Sequence, residues 1–218
     1  MVLDWWIRPP SPRLLPLPLA LVVFFAVFCI VAAFSVWTAT SLGLPSFLLL
    51  SPLSSRRKWL RFAVYGIGSG ILIYLTNGLY LAIAGDPILP DPVHDLDNHL
   101  KVFTLSARAA FSEEMMFRLF AIPFLVSLGM RIYGWRPRFG FGPELSAQPA
   151  APLRVPRRLV LIALLVSALM FGVAHGTDPV AASMFGLVLG VAFLRGGWES
   201  AVTAHFLGNY LLFARIYL

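Results

Sequence analysis

Residues 14–39 read LLPLPLALVVFFAVFCIVAAFSVWTA, an apolar run without one charged side chain. The run follows Arg8 and Arg13, the order of a signal peptide. It is too long for a signal core of about 7–15 residues, and it lacks a convincing cleavage site. At about 1.5 Å per residue it crosses the roughly 30 Å hydrocarbon layer, so it predicts a transmembrane helix. Runs of the same kind recur at 62–84, 101–130, 159–175, 178–195 and 199–217.

Of the 218 residues, 59% are hydrophobic and 12% charged, with a mean hydropathy of +0.81. Soluble domains hold about 45–50% apolar and about 25% charged residues. A globule of this size cannot hide such an excess, which excludes a soluble enzyme, a disordered tail and a disulfide scaffold. The fold class is all-α: a polytopic transmembrane bundle of about six spans. Residues 1–218 form one integral-membrane domain. Residues 42–53 (LGLPSFLLLSPL) are apolar, short and bracketed by Pro45 and Pro52, as in a re-entrant or interfacial half-helix.

The charges give a topology. The chain carries +7, and 15 of its 17 basic residues are Arg. Arg56, Arg57, Lys58 and Arg61 mark one cytoplasmic loop; Arg131, Arg136, Arg138, Arg154, Arg157 and Arg158 mark another. The acidic loop 85–99 belongs on the opposite side. Arg8 and Arg13 also call for the cytoplasm, which a single span before Arg56 forbids unless 42–53 turns back. Loop-borne charge of this kind excludes nucleic acid as a partner. Residues 136–158, rich in Pro, Gly and Ala, read as a flexible connection. Cys29 is the only cysteine, so no internal disulfide forms. Gly66-Ile-Gly-Ser-Gly70 and Gly186-Leu-Val-Leu-Gly190 lie in apolar spans and serve close helix approach. His94-Asp-Leu-Asp97-Asn-His99 follows no standard metal-ligand spacing and reads as a solvated loop.

The informative residues are those a membrane helix avoids. Glu113, Glu114 and Arg118 interrupt an apolar stretch, where each charge costs about 2.5–3.5 kcal/mol on the insertion scale. Glu114 and Arg118, four apart, share a face and can pair; Glu113, turned by about 100°, points elsewhere, free for general-base work. Phe171-Gly-Val-Ala-His175 ends one span, and His205-Phe-Leu-Gly-Asn209 sits in the last. His205 and Asn209 share a face at spacing four. Bundles build sites from such inward groups on facing helices.

These three segments, Glu113-Glu114-Met-Met-Phe-Arg118, Phe171-x-x-x-His175 and His205-x-x-x-Asn209, resemble the EExxxR, FxxxH and HxxxN motifs of an intramembrane protease family. The family is that of the CAAX protease and bacteriocin-processing (CPBP) proteases, of the CAAX prenyl protease 2-like kind. The resemblance spans residues 60–218; residues 1–55 and 136–158 carry no family motif. It implies an intramembrane endopeptidase acting on a membrane-associated protein or peptide. It further implies that Glu113, assisted by His175, activates water and that His205 and Asn209 stabilise the oxyanion. Glu114, Arg118 and Phe171 then support the site. The family has been called metalloprotease-like, yet a metal-free, glutamate-type mechanism is also proposed for it. This chain has no HExxH, so no cofactor is expected. A divalent metal such as zinc would take Glu113, His175 and His205.

Depth complicates the picture. The charge rule places Glu113 and His175 toward the acidic-loop side and His205 and Asn209 about 10–16 Å in from the other. A non-catalytic membrane partner (an immunity protein or a sorting or secretion accessory) and, last, an ion-coupled carrier compete with the protease reading. The bias of Arg over Lys points to a GC-rich bacterial genome and an inner membrane.

Overall fold

The computed structural model describes residues 17–48, 53–84, 98–133, 155–176 and 178–217. The N-terminal arginines, residues 49–52, most of the acidic loop with His94 and Asp97, and residues 134–154 lie outside these. All regular structure among the described residues is helical. Helix α1 is Leu17–Ser41. Helix α2 runs as Ser55–Arg61, a π-helical stretch Phe62–Gly68, and Ser69–Ala84. Helix α3 has the same build: His99–Glu114, a π-helical Met115–Ala121, then Ile122–Ile132. Helix α4 is Arg157–His175. The last helical stretch, Pro179–Tyr217, is broken at Gly197 (φ 80°, ψ 176°) into α5 (179–196) and α6 (198–217).

Local chemistry sets the ends. The Asn98 side chain accepts from Lys101 N at 3.0 Å and caps α3. Asp178 caps α5 through Ala181 N at 3.0 Å, with Pro179 in the first helical position. Gly176, at φ 63°, stops α4.

Four stretches are long and apolar enough to cross a membrane: Ser55–Tyr80, His99–Ile132, Arg157–His175 and Pro179–Ile216; Cys29–Ser41 is a shorter apolar helix. These stretches do not by themselves confirm the expected total of about six; the last of them is the α5–α6 pair joined at Gly197. Residues 42–48 also differ from the half-helix expected of 42–53. Residues 42–43 form a turn and 44–48 are irregular, because Pro45 and Gly43 (φ 64°) interrupt any helical ladder. They strap the Gly197 corner: Trp198 N donates to Ser46 O at 2.9 Å and Leu48 N to Glu199 Oε2 at 2.8 Å.

Glycines govern the packing. A Cβ at Gly70 would lie 2.8 Å from Leu207 Cβ, and one at Gly208 2.7 Å from Ile73 Cγ2. Helices α2 and α6 therefore run side by side in the same direction, with Gly66 against Ser200. Gly186 packs on Ala168, Gly190 on Leu164, and Gly172 on Pro179 and Ser183, so α4 and α5 are antiparallel. Both small-residue pairs foreseen in the sequence thus serve close helix approach. Tyr65 meets Gly196, and α2 residues 64–72 flank α5 residues 191–187, which sets α5 against α2 and hence against α6. The chain turns back at Gly197.

Exposure is inverted relative to a soluble protein. Leu79, Leu161 and Val173 are 62%, 56% and 76% exposed, whereas Glu114 and Arg118 are fully buried. An apolar exterior around a charged interior is the arrangement that lipid solvent requires.

Candidate active site

The α-to-π junction of α3 carries the acidic residues. Glu113 and Glu114 end the α-helical part, and Arg118 sits within the π-helical stretch Met115–Ala121. Such stretches recur at functional sites. Arg118 Nη1 lies 3.1 Å from Glu114 Oε1, both side chains being fully buried. This is the pairing that spacing four implied. Arg118 Nη2 also donates to Gly186 O of α5 at 3.0 Å, and the guanidinium stands 4.4 Å over the Phe171 ring. Phe171 in turn packs on both imidazoles, with ring centroids 4.2 Å from His175 and 5.8 Å from His205. It is the apolar spacer that fixes both rings.

His205 comes from α6 and His175 from the last turn of α4. His205 Nδ1 is 2.8 Å from Glu114 Oε1, and His175 Nδ1 is 2.8 Å from Phe171 O. Both partners accept, so each Nδ1–H donates and each Nε2 is turned toward the centre. That centre is Glu113 Oε2, 3.4 Å from His175 Nε2 and 3.8 Å from His205 Nε2. Glu113 Oε2 makes no hydrogen bond of its own among the described residues. A carboxylate oxygen and two imidazole nitrogens from three helices therefore face one small volume.

A pocket of about 220 Å³ opens beside them, lined by His175, His205 and Asn209 with apolar walls from Ile73, Phe185 and Leu189. The depth conflict disappears in the packing. Because α5 and α6 form a hairpin and α6 runs alongside α2, His205 and Asn209 reach the level of the α4 end. Glu113 and His175 are partly open (side chains 19% and 32% exposed), while His205 is 5% exposed. Asn77, Tyr80 and Asp178 also line the pocket. None belongs to a motif, and a single amide near a span end leaves no pattern to read.

Among the described residues no group of three or more His, Cys, Asp or Glu has an arrangement that could hold a metal ion. Chemically, the arrangement offers a carboxylate beside two oriented imidazoles in a sheltered, partly wet pocket. That is the equipment for moving protons to and from a bound water.

Comparison with curated proteins and with solved structures finds no match. The family described as type II CAAX prenyl endopeptidase Rce1-like matches residues 96–211, the region that carries Glu113, Glu114, Arg118, Phe171, His175, His205 and Asn209. With more than half of its length matched and its acids and imidazoles joined in one membrane-buried site, the chain belongs to the type II CAAX prenyl endopeptidase Rce1-like family of peptide hydrolases.

Proposed function

We propose that the protein cleaves a membrane-associated protein or peptide, near its C-terminus or at the membrane boundary, by a metal-free, glutamate-type mechanism. The observation that carries this reading is the convergence of Glu113 Oε2 with the Nε2 atoms of His175 and His205 at 3.4 and 3.8 Å. A water there donates one hydrogen to Glu113 and the other to His175. As its oxygen attacks the scissile carbonyl carbon, Glu113 takes the proton. The carbonyl π electrons move onto oxygen, which accepts from the Asn209 amide and, when His205 is protonated, from its Nε2–H. Collapse of the tetrahedral intermediate breaks the C–N bond, and the proton held by Glu113 passes to the leaving amine. Donors fixed in a water-poor site stabilise such an oxyanion strongly; loss of one costs about 10²–10³-fold in rate elsewhere.

Glu114 and Arg118 keep His205 in its tautomer and hold α3 to α5. Metal ligation has no part in this scheme. The protein's place as an integral component of a bacterial inner membrane is likewise our proposal, from the Arg-rich composition and the apolar helices.

The test uses purified protein in lipid nanodiscs and a quenched fluorescent peptide ending in a prenylated CAAX sequence. Glu113→Ala and His175→Ala should abolish turnover while the variants still accumulate in the membrane. Full activity in purified Glu113→Ala would falsify the assignment. Chelation by 1,10-phenanthroline should leave the rate unchanged; a loss restored by zinc would overturn the metal-free scheme.

A further inference from the structure

The pocket beside the two histidines is lined by two side-chain amides, and only one belongs to a motif. Asn209 projects from α6 and Asn77 from α2; both line the cavity together with His175 and His205. Residue 77 lies outside the matched region 96–211. Its neighbour Thr76 returns its hydroxyl to Leu72 O at 2.8 Å, whereas the Asn77 amide has no such partner among the described residues. An amide left without a partner in an apolar segment is costly unless something else satisfies it.

Position says what that is. Ile73 packs on Gly208, so the α2 and α6 registers align at these residues. With about 1.5 Å rise per residue, Asn77 stands about 4–5 Å farther along the axis toward Tyr80 than Asn209. Extended peptide rises about 3.3 Å per residue, so for a chain lying along the helix axes this offset corresponds to one to two substrate residues. Each offers donors and an acceptor, the complement of a peptide group. Between them the walls (Ile73, Phe185, Leu189, Leu212) are apolar.

Resting on the peptidase reading above, we infer that Asn77 is a substrate-binding residue that hydrogen-bonds the substrate backbone one to two residues from the group held at Asn209. An extended chain entering past Tyr80 and Asp178 is gripped first by Asn77 and then by Asn209, which sets its register against Glu113.

The test compares wild type with Asn77→Leu, a change of similar size that a membrane helix tolerates. The probe is the prenylated CAAX peptide above. KM should rise about tenfold, the size of one lost hydrogen bond, with kcat within about twofold and the unfolding midpoint unchanged. In the Glu113→Ala background the Kd for the probe should rise by the same factor. Replacing successive backbone amides of the probe by esters should identify one position where the substitution weakens binding to wild type but adds nothing to Asn77→Leu. Unchanged KM and Kd, no ester position coupled to residue 77, or no binding of the probe to the Glu113→Ala protein would each overturn the inference. Binding that depends on Asn77 without any turnover by wild type would instead overturn the peptidase reading and leave this one standing.

Discussion

Glu114 Oε1 lies within 3.1 Å of Arg118 Nη1 and 2.8 Å of His205 Nδ1, in a place no solvent reaches. A buried charge is tolerated only with its partner, and removing one member of such a pair costs about 3–5 kcal/mol. Arg118→Met should therefore destabilise the protein by about that amount in detergent unfolding, because Glu114 is left uncompensated. The double variant Arg118→Met with Glu114→Gln should recover part of the loss. It should regain no activity, since His205 then lacks the carboxylate that fixes its tautomer. Full additivity of the two losses would contradict the pairing. These residues were legible in the sequence because a charge in an apolar span is expensive enough to announce itself. Asn77 was not, since a single uncharged amide in a span costs far less than a charge and forms no motif. The contribution of Phe171 as spacer between two imidazoles also needs coordinates, because a phenylalanine in a membrane helix carries no signal of its own.

Close helix contact carries the site between α2 and α6. A Cβ at Gly70 would come 2.8 Å from Leu207 Cβ and 3.0 Å from Ala204 O, one residue before His205. Gly70→Ala should push the helices apart, cost about 1–3 kcal/mol and lower kcat. Gly68→Ala, where the nearest atom is 3.6 Å away, should be neutral by both readouts. At the other end, Asp178 is held below the usual carboxylate range, first by the Tyr80 hydroxyl and next by the Ala181 N–H. A depressed folded pKa means its contribution is complete above the ordinary Asp value of about 3.9 and lost as pH falls through the folded value. Wild type should thus lose stability below about pH 4 more steeply than Asp178→Asn, as unfolding midpoints across that range will show. Helix positions and the break between 195 and 199 could be read from apolar runs. The π-helical stretches could not: neither Phe62–Gly68 nor Met115–Ala121 contains proline, and tertiary packing decides where the wider turn falls.

For the molecule as a whole, the turn at Gly197 converts a linear order of motifs into a site. Its φ of 80° with ψ 176° belongs to a region that is essentially reserved for glycine, and a Cβ there would lie 2.6 Å from Leu48 N. Gly197→Ala should cost about 1–3 kcal/mol and lower activity, by displacing the 42–48 strap and with it the register of His205. Normal melting and normal turnover would contradict that link. The charge rule alone set Glu113 and His205 at different depths, because it counts loops and knows nothing of helix pairing.

That hairpin has a consequence for biosynthesis. Glu113 and Glu114 leave the ribosome some ninety residues before His205, the group that completes the pocket. A nascent copy halted before α6 therefore holds its acids and its arginine without the His205 imidazole that Glu114 meets at 2.8 Å. Under the proposed mechanism, hydrolysis that depends on His205 can begin only once the last helix is in place.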